Sequence, residues 1–205
     1  VPTLEADCEI SFNDINLKTA KEIQYLEPFG VGNPVPSFVL RSATVLECTP
    51  VSGGKHTRFV LANNEARERS CSAIYFSCAT SDIDLFVGDK VDVMFNLDVN
   101  EWADKQTVQM IVKDIRLSEE TKKEKMNERE LFEKIWKGGD FSADLNIVPT
   151  RNDFGVVYTM VEYSVRNGCD CMSHSLILSK LSASNINYIK LKFIIRILQE
   201  MNVLG

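Results

Sequence analysis

A regular alternation of apolar and polar residues marks residues 90–99, KVDVMFNLDV. The apolar residues occupy every second position: Val91, Val93, Phe95, Leu97 and Val99. Between them stand Asp92, Met94, Asn96 and Asp98. Because successive side chains of a β-strand point to opposite faces, this pattern predicts a strand that buries one face and exposes the other.

Four further runs are typical of strands, at residues 38–48, 56–62, 70–77 and 106–117. Turn-forming residues separate them, including Ser52-Gly53-Gly54 and Val87-Gly88-Asp89. The segment SDIDLF, residues 81–86, is long enough only for a short helix or a turn. Three strands, a short helix or turn, and two more strands follow one another in an OB-fold, a small five-stranded barrel. We therefore predict this barrel for residues 37–118.

A stretch rich in glycine and proline, LEPFGVGNPVPSF, precedes the first of these strands. Each proline fixes its own φ, and glycine permits left-handed backbone that other residues avoid. Residues 14–26 before it have helical spacing, with Asp14 or Asn16 available as a cap. Residues 14–36 are thus predicted to form a short helix and a rigid corner. The corner residues are Pro28, Phe29, Gly30, Gly32, Asn33 and Pro34.

The composition changes after Ser118. Residues 119–138 begin charge-rich and then place Leu131, Phe132, Ile135 and Trp136 on one helical face, which predicts a helical connector. Residues 139–205 contain three helical patterns that resemble the helical half of a winged helix. The predicted fold class is mixed β and α, an OB-fold barrel followed by a small helical, winged-helix-like module.

Charge, apolar runs and cysteine spacing argue against three classes of function: strong nonspecific nucleic-acid binding, membrane insertion and metal binding. Residues 1–118 hold 11 Lys and Arg against 17 Asp and Glu, a balance of −6, which disfavours strong nonspecific nucleic-acid binding. No apolar run approaches membrane-spanning length and no signal peptide is visible, so we expect a cytoplasmic protein without a membrane partner. Cys169, Cys171 and His174 lack the spacing of a zinc knuckle, and no metal site is predicted.

Several separated motifs, in order, resemble the C-terminal part of the RecJ single-strand-specific 5′ to 3′ exonucleases: LEPFGVGNPVPSF, GGKHTRFVL, LDVNEW and VQMIVKDIRL. The resemblance covers roughly residues 14–118. It implies that the corner joins the second catalytic-core domain, called DHHA1, to an OB-fold that guides single-stranded DNA in recombination and repair. It also implies that residues 1–13 are a remnant strand of that DHHA1 domain, and that residues 139–205 correspond to the extra domain of longer members.

The catalytic motifs of that family are missing. Its chemistry resembles two-metal phosphodiester hydrolysis, which requires clustered Asp and His ligands, yet this sequence has only His56 and His174 and no Asp-His-His motif. We therefore expect a noncatalytic fragment that holds no cofactor. Mn²⁺ or Mg²⁺ would belong to the absent catalytic core, which is itself an expected partner.

Candidate DNA-binding residues follow from the chemistry of OB-folds, which track phosphates with cations and stack bases on aromatic rings. Phe59 is expected inside the barrel, as are Tyr75, Phe76 and Phe95. For Trp102, a hairpin cap is the alternative to a stacking platform, and for the cations the alternative is a solvated edge. The candidates are Arg41, Lys55, His56, Arg58, Trp102 and Lys105.

A rival hypothesis rests on the acidity of residues 1–118 and on the helical module. In it the fragment is a protein-interaction platform that recruits a single-strand-binding protein or a helicase. An independent enzyme has little support, because no grouping of nucleophile, base and orienting residue is visible.

Overall fold

The computed structural model describes residues 4–63, 69–102, 105–140, 146–166, 177–178, 180–181 and 184–203, with the side chain of Trp102 excepted. The chain divides into two compact units, Val1–Thr121 and Lys122–Gly205. Each unit has its own apolar core.

The first unit contains five long strands that close into a barrel. They are β2 (Phe38–Val51), β3 (His56–Ala62), β4 (Ser70–Tyr75), β5 (Lys90–Trp102) and β6 (Lys105–Leu117). Antiparallel pairing joins β3 to β2 and to β4, and β5 to β6, while β4 pairs with β6 in parallel. A further antiparallel pairing of β2 with β5 closes the barrel. A 3₁₀ turn, Thr80–Asp82, lies between β4 and β5, so the predicted OB-fold order is confirmed.

The alternation in β5 has the predicted consequence. Val91, Val93 and Phe95 are fully buried, and they join Phe59, Leu61 and Met110 in the barrel core. Met94 was expected among the outward residues but is only 8% exposed. It lies at a register shift between β5 and β6, where the strict alternation breaks.

The residues before the barrel pack against it. A two-residue strand, β1 (Cys8–Glu9), pairs in parallel with the start of β2. Phe12, Ile15 and Ala20 are buried in the barrel core. The assignment of residues 1–13 to a preceding DHHA1 domain stays a prediction.

Helix α1 (Leu17–Gln24) is shorter than its apolar pattern suggested. Asn16 is its N-cap, because the Thr19 amide donates to Asn16 Oδ1 at 3.0 Å. Asp14 instead accepts hydrogen bonds from the hydroxyl and the amide of Ser11, and these bonds lower the pKa of Asp14.

The corner between α1 and β2 is held by Asn33. Its side-chain Nδ2 donates to the carbonyls of Leu26, at 2.8 Å, and Pro28, at 3.2 Å. Gly30 and Asn33 also exchange backbone hydrogen bonds. Neither Gly30 nor Gly32 has a positive φ, and a Cβ at either would meet nothing within 4 Å. The left-handed geometry expected of these glycines is therefore wrong, and side-chain hydrogen bonding shapes the corner.

Three helices are described in full in the second unit or at its edge. They are α2 (Glu119–Trp136), α3 (Arg151–Arg166) and α4 (Tyr188–Glu200). One core contains Val157, Leu191 and Ile194, and a smaller cluster joins Phe132 to Ile147 and Ile189. Leu131, Ile135 and Trp136 of α2 pack against this smaller cluster. The role of residues 119–138 as a connector stays a prediction.

The described residues of this unit contain the helices of the predicted winged-helix-like module but not the strands of a wing. The described residues after Thr121 contain no strand. Cys169, Cys171 and His174 lie outside the described residues. Within the part of the chain that the structure describes, no helix is both long enough and apolar enough to cross a membrane.

Candidate nucleic-acid interface

Strand β3 separates its side chains as the sequence predicts. Thr57, Phe59 and Leu61 point into the barrel and are fully buried. His56 and Arg58 lie on the outer side, half-buried and exposed respectively. Outward side chains of β3 and β4, together with Phe76 just beyond β4, form one surface that we call the β3–β4 face. Its members are His56, Arg58, Val60, Ser70, Ser72, Ile74 and Phe76.

The β3–β4 face carries no carboxylate. Neither His56–Ala62 nor Ser70–Tyr75 contains an Asp or a Glu, although residues 1–118 have a charge balance of −6. The register places Arg58 between Thr49 of β2 and Ile74 of β4. This surface is therefore less repulsive to an anion than the average surface of the same unit.

The ion pair between Arg58 and Glu47 is weak. Nη2 of Arg58 lies 3.6 Å from Oε2 of Glu47, and the two side chains are about half exposed, 47% and 56%. Exposed ion pairs of this kind contribute about 0–1 kcal/mol, so a phosphate can compete with Glu47 for the guanidinium. Lys55 is exposed in the turn before β3, where Ser52, Gly53 and Gly54 all have positive φ.

Phe76 was expected in the core, and the structure shows that this is wrong. Its side chain is 50% exposed, and its ring meets that of His56 edge-on, with centroids 5.2 Å apart. Cys71 and Ala73 point inward and Tyr75 packs on the core, so the next residue points outward. The alternation in SCSAIYFS could have revealed this. The expectation for Phe95 is confirmed, and Tyr75 is partly buried, with its hydroxyl donating to the Lys113 carbonyl.

Arg41 is engaged by carboxylates. Its Nη1 donates to Asp92 Oδ2 at 2.7 Å, and its Nε lies 3.4 Å from Glu9 Oε2. These contacts, above all the hydrogen bond to Asp92, raise the pKa of Arg41. Arg41 also precedes Thr49, the β2 partner of Arg58, by eight residues, about 26 Å of strand. The structure therefore does not bring Arg41 together with Lys55, His56 and Arg58.

Lys105 and Trp102 close the β5–β6 hairpin, where they form the last pair of the ladder. The side chain of Trp102 lies outside the described residues, so its predicted stacking role stays a prediction. Ile74 pairs with Ile111 of β6, and Lys105 precedes Ile111 by six residues, about 20 Å of strand. Exposed lysines thus stand near both ends of the β3–β4 face, Lys55 at one and Lys105 toward the other.

A groove of about 280 Å³ lies beside α1 in the same unit. Ile23, Phe29 and Leu97 supply apolar lining, and the charged residues along it are Glu27 and Asp98. A groove whose charges are negative is unsuited to phosphates.

Metal ligation and the reactivity of two cysteines bear on other kinds of site. These residues contain no group of three or more His, Cys, Asp or Glu side chains that could hold a metal ion. Burial raises the pKa of Cys48 and of Cys71 to about 11, so both thiols are protonated at neutral pH. Because the thiolate is the nucleophilic form, neither of these two cysteines is suited to attack a substrate.

A family model for the RecJ OB domain matches residues 6–114, slightly more than half of the chain. The chain belongs to the RecJ OB domain family. The matched range runs from the residues just before β1 into β6, so the β1 segment, α1 and the corner lie inside the family's boundaries.

Individual relatives match this chain over part of their length. The single-stranded-DNA-specific exonuclease RecJ of Bacillus subtilis (strain 168) is 24% identical over 119 residues, which are 58% of this chain and 15% of the relative. RecJ from Thermus thermophilus, solved in complex with Mn²⁺, is 27% identical with a TM-score of 0.37, over 48% of this chain and 13% of that one. The second single-stranded DNA binding protein of Mycobacterium smegmatis is 16% identical with a TM-score of 0.34, over 40% and 84% of the two chains.

Proposed function

We propose that the barrel unit binds single-stranded DNA along the β3–β4 face and guides the strand for a RecJ-type exonuclease. The observation that carries the proposal is a pair of strands, β3 and β4, that contain no carboxylate and have cations near their ends, on a unit with a charge balance of −6. OB-folds use this side of the barrel, together with the loops at its ends, to hold oligonucleotides. Family membership supports the same ligand class.

The proposed roles follow from side-chain chemistry. Arg58 and Lys55 contact phosphates at one end of the β3–β4 face, and Lys105 contacts a phosphate toward the other. Val60 and Ile74 between them are half-buried and apolar, so they offer contact to sugars and bases without sequence preference. Few cations working against net negative charge give weak, salt-dependent binding.

In this proposal the barrel unit does not hydrolyse DNA, and a separate catalytic core does. The matched exonuclease is much longer than this chain, which spans 15% of it. A separate catalytic core that uses Mn²⁺ or Mg²⁺ would cut the strand, in DNA repair or recombination, while the barrel unit holds it. The domain-orienting role of the corner is part of the same proposal.

The test is a titration of the full chain with a fluorescent oligothymidylate at several salt concentrations. Each phosphate contact to a single strand contributes about −0.7 to the slope of log affinity against log salt. Arg58→Ala should therefore make the slope shallower by roughly that amount and weaken binding to all sequences alike.

Arg166→Ala is the matched control. Like Arg58, Arg166 is exposed and pairs with a carboxylate, that of Glu162, but it lies on α3 of the second unit. Its removal should leave the salt slope unchanged. No binding at millimolar concentration, or equal slopes for wild type and Arg58→Ala, would reject the β3–β4 face, and recruitment of a single-strand-binding protein or helicase would then be the better hypothesis.

A further inference from the structure

Phe76 and His56 form an exposed aromatic pair at one end of the β3–β4 face. We propose that Phe76 is a stacking platform for one nucleobase and that His56 is the positioning residue that holds it in place. The proposal rests on the proposed function, because it assigns the base-contacting residue of the same surface.

Exposure alone does not single out Phe76. Tyr25, at the end of α1, is 86% exposed, compared with 50% for Phe76. Phe76 differs because its ring contacts the ring of His56. The two ring centroids are 5.2 Å apart, and the ring planes meet at 71°. An aromatic ring with a fixed neighbour loses less rotational freedom when it binds a ligand, so a base that stacks on it binds more tightly.

The backbone after Phe76 is fixed in an uncommon conformation. Ser77 has a φ of 56°, in the left-handed region that non-glycine residues rarely adopt. Its amide donates to His56 Nδ1 at 2.9 Å. The next residue is held as well, since Thr57 Oγ1 donates to the Cys78 carbonyl at 2.9 Å. Uncommon backbone that its surroundings hold in place occurs preferentially at ligand sites.

The cations lie at a distance that suits one nucleotide. Arg58 is two residues from His56 on the same side of β3, about 7 Å along the strand. Lys55 immediately precedes His56 in the turn. A base stacked on Phe76 therefore leaves its phosphate within reach of Arg58 or Lys55, and stacking on aromatic rings is sequence-tolerant because every base has a π-face.

The experiment compares Phe76→Ala, Phe76→Leu and Phe76→Tyr in the full chain, each titrated with an oligothymidylate and with an abasic oligonucleotide of equal length. Phe76→Ala and Phe76→Leu should weaken oligothymidylate binding by about 5- to 150-fold, and Phe76→Tyr should retain it. The abasic strand should bind all variants equally, because it has no base to stack. Tyr25→Ala, which removes an exposed aromatic ring elsewhere, should change neither titration.

The outcomes separate this inference from the proposed function. If wild type binds oligothymidylate and Phe76→Ala and Phe76→Leu bind equally well, the platform is rejected while the β3–β4 face stands. The platform is also rejected if Phe76→Leu alone retains full affinity, because leucine keeps apolar contact but has no π-face. If wild type binds neither strand, the proposed function and the platform both fail.

Discussion

Phe59→Ala is expected to lower the free energy of unfolding of the barrel unit by about 3–5 kcal/mol. Phe59 is fully buried, and in the sheet it lies between Cys48 of β2 and Ala73 of β4. The substitution removes the whole phenyl ring from the core of a closed barrel. Hydrogen-bonded ladders hold the barrel walls, so they cannot collapse fully into the cavity. Urea denaturation, followed by amide hydrogen exchange of β3, measures the loss.

Phe76→Ala is the matched control for that substitution. It removes the same ring from a position that is 50% exposed, so its effect on stability should be much smaller. Amides of α4, whose core shares no residue with the barrel core, should keep their protection in Phe59→Ala. Equal destabilisation by the two phenylalanine substitutions would contradict the assignment of inner and outer faces.

Asp153→Ala is expected to destabilise the second unit by about 3–5 kcal/mol, because it leaves a buried charge without its partner. Lys190 Nζ lies 3.3 Å from Asp153 Oδ2, and the two side chains are only 4% and 12% exposed. Asp153 also accepts hydrogen bonds from the amide and the hydroxyl of Thr150, at 2.8 and 2.9 Å, just before α3. Thermal or urea denaturation measures the change.

Glu162→Ala is the control on the same helix. Its ion pair with Arg166 is exposed, and pairs of this kind contribute about 0–1 kcal/mol. A loss for Asp153→Ala no larger than that for Glu162→Ala would show that the Asp153–Lys190 pair does not hold the second unit together.

The same carboxylate makes stability depend on pH. The hydrogen bond from the Thr150 amide, with the contacts to the Thr150 hydroxyl and Lys190, lowers the pKa of Asp153 below its ordinary value of 3.8. The folded state thus favours the charged form, so this contribution is fully present above that ordinary value. It is lost as pH falls through the lowered pKa, and Asp153→Asn should lack this part of the acid-induced loss of stability.

The barrel was predictable because its signals are local. In β3 and β5 alternation decides which side chains enter the core, and Phe59 and Phe95 lie where it places them. Helix α2 followed in the same way from the spacing of its apolar residues. Met94 departs from the alternation because of a register shift, which depends on the partner strand.

The features that sequence did not reveal depend on contacts between distant residues. The corner was attributed to its glycines, yet Asn33 holds it through carbonyls five and seven residues away. The sequence suggested that Arg41 is available to DNA. In the fold its guanidinium donates a hydrogen bond to Asp92, which lies 51 residues away in the sequence. Phe76 is different, because the alternation of β4 already implied its exposure, and only its contact with His56 required the structure.

The most direct test of a DNA-binding β3–β4 face is an NMR titration of the isotope-labelled chain with an oligothymidylate, following every backbone amide. The largest shifts should fall on His56, Arg58, Ser72 and the Phe76–Ser77 segment, with smaller shifts near Lys105. Shifts confined to the groove beside α1, or to α3 and α4 of the second unit, would contradict the account, as would a spectrum that does not change.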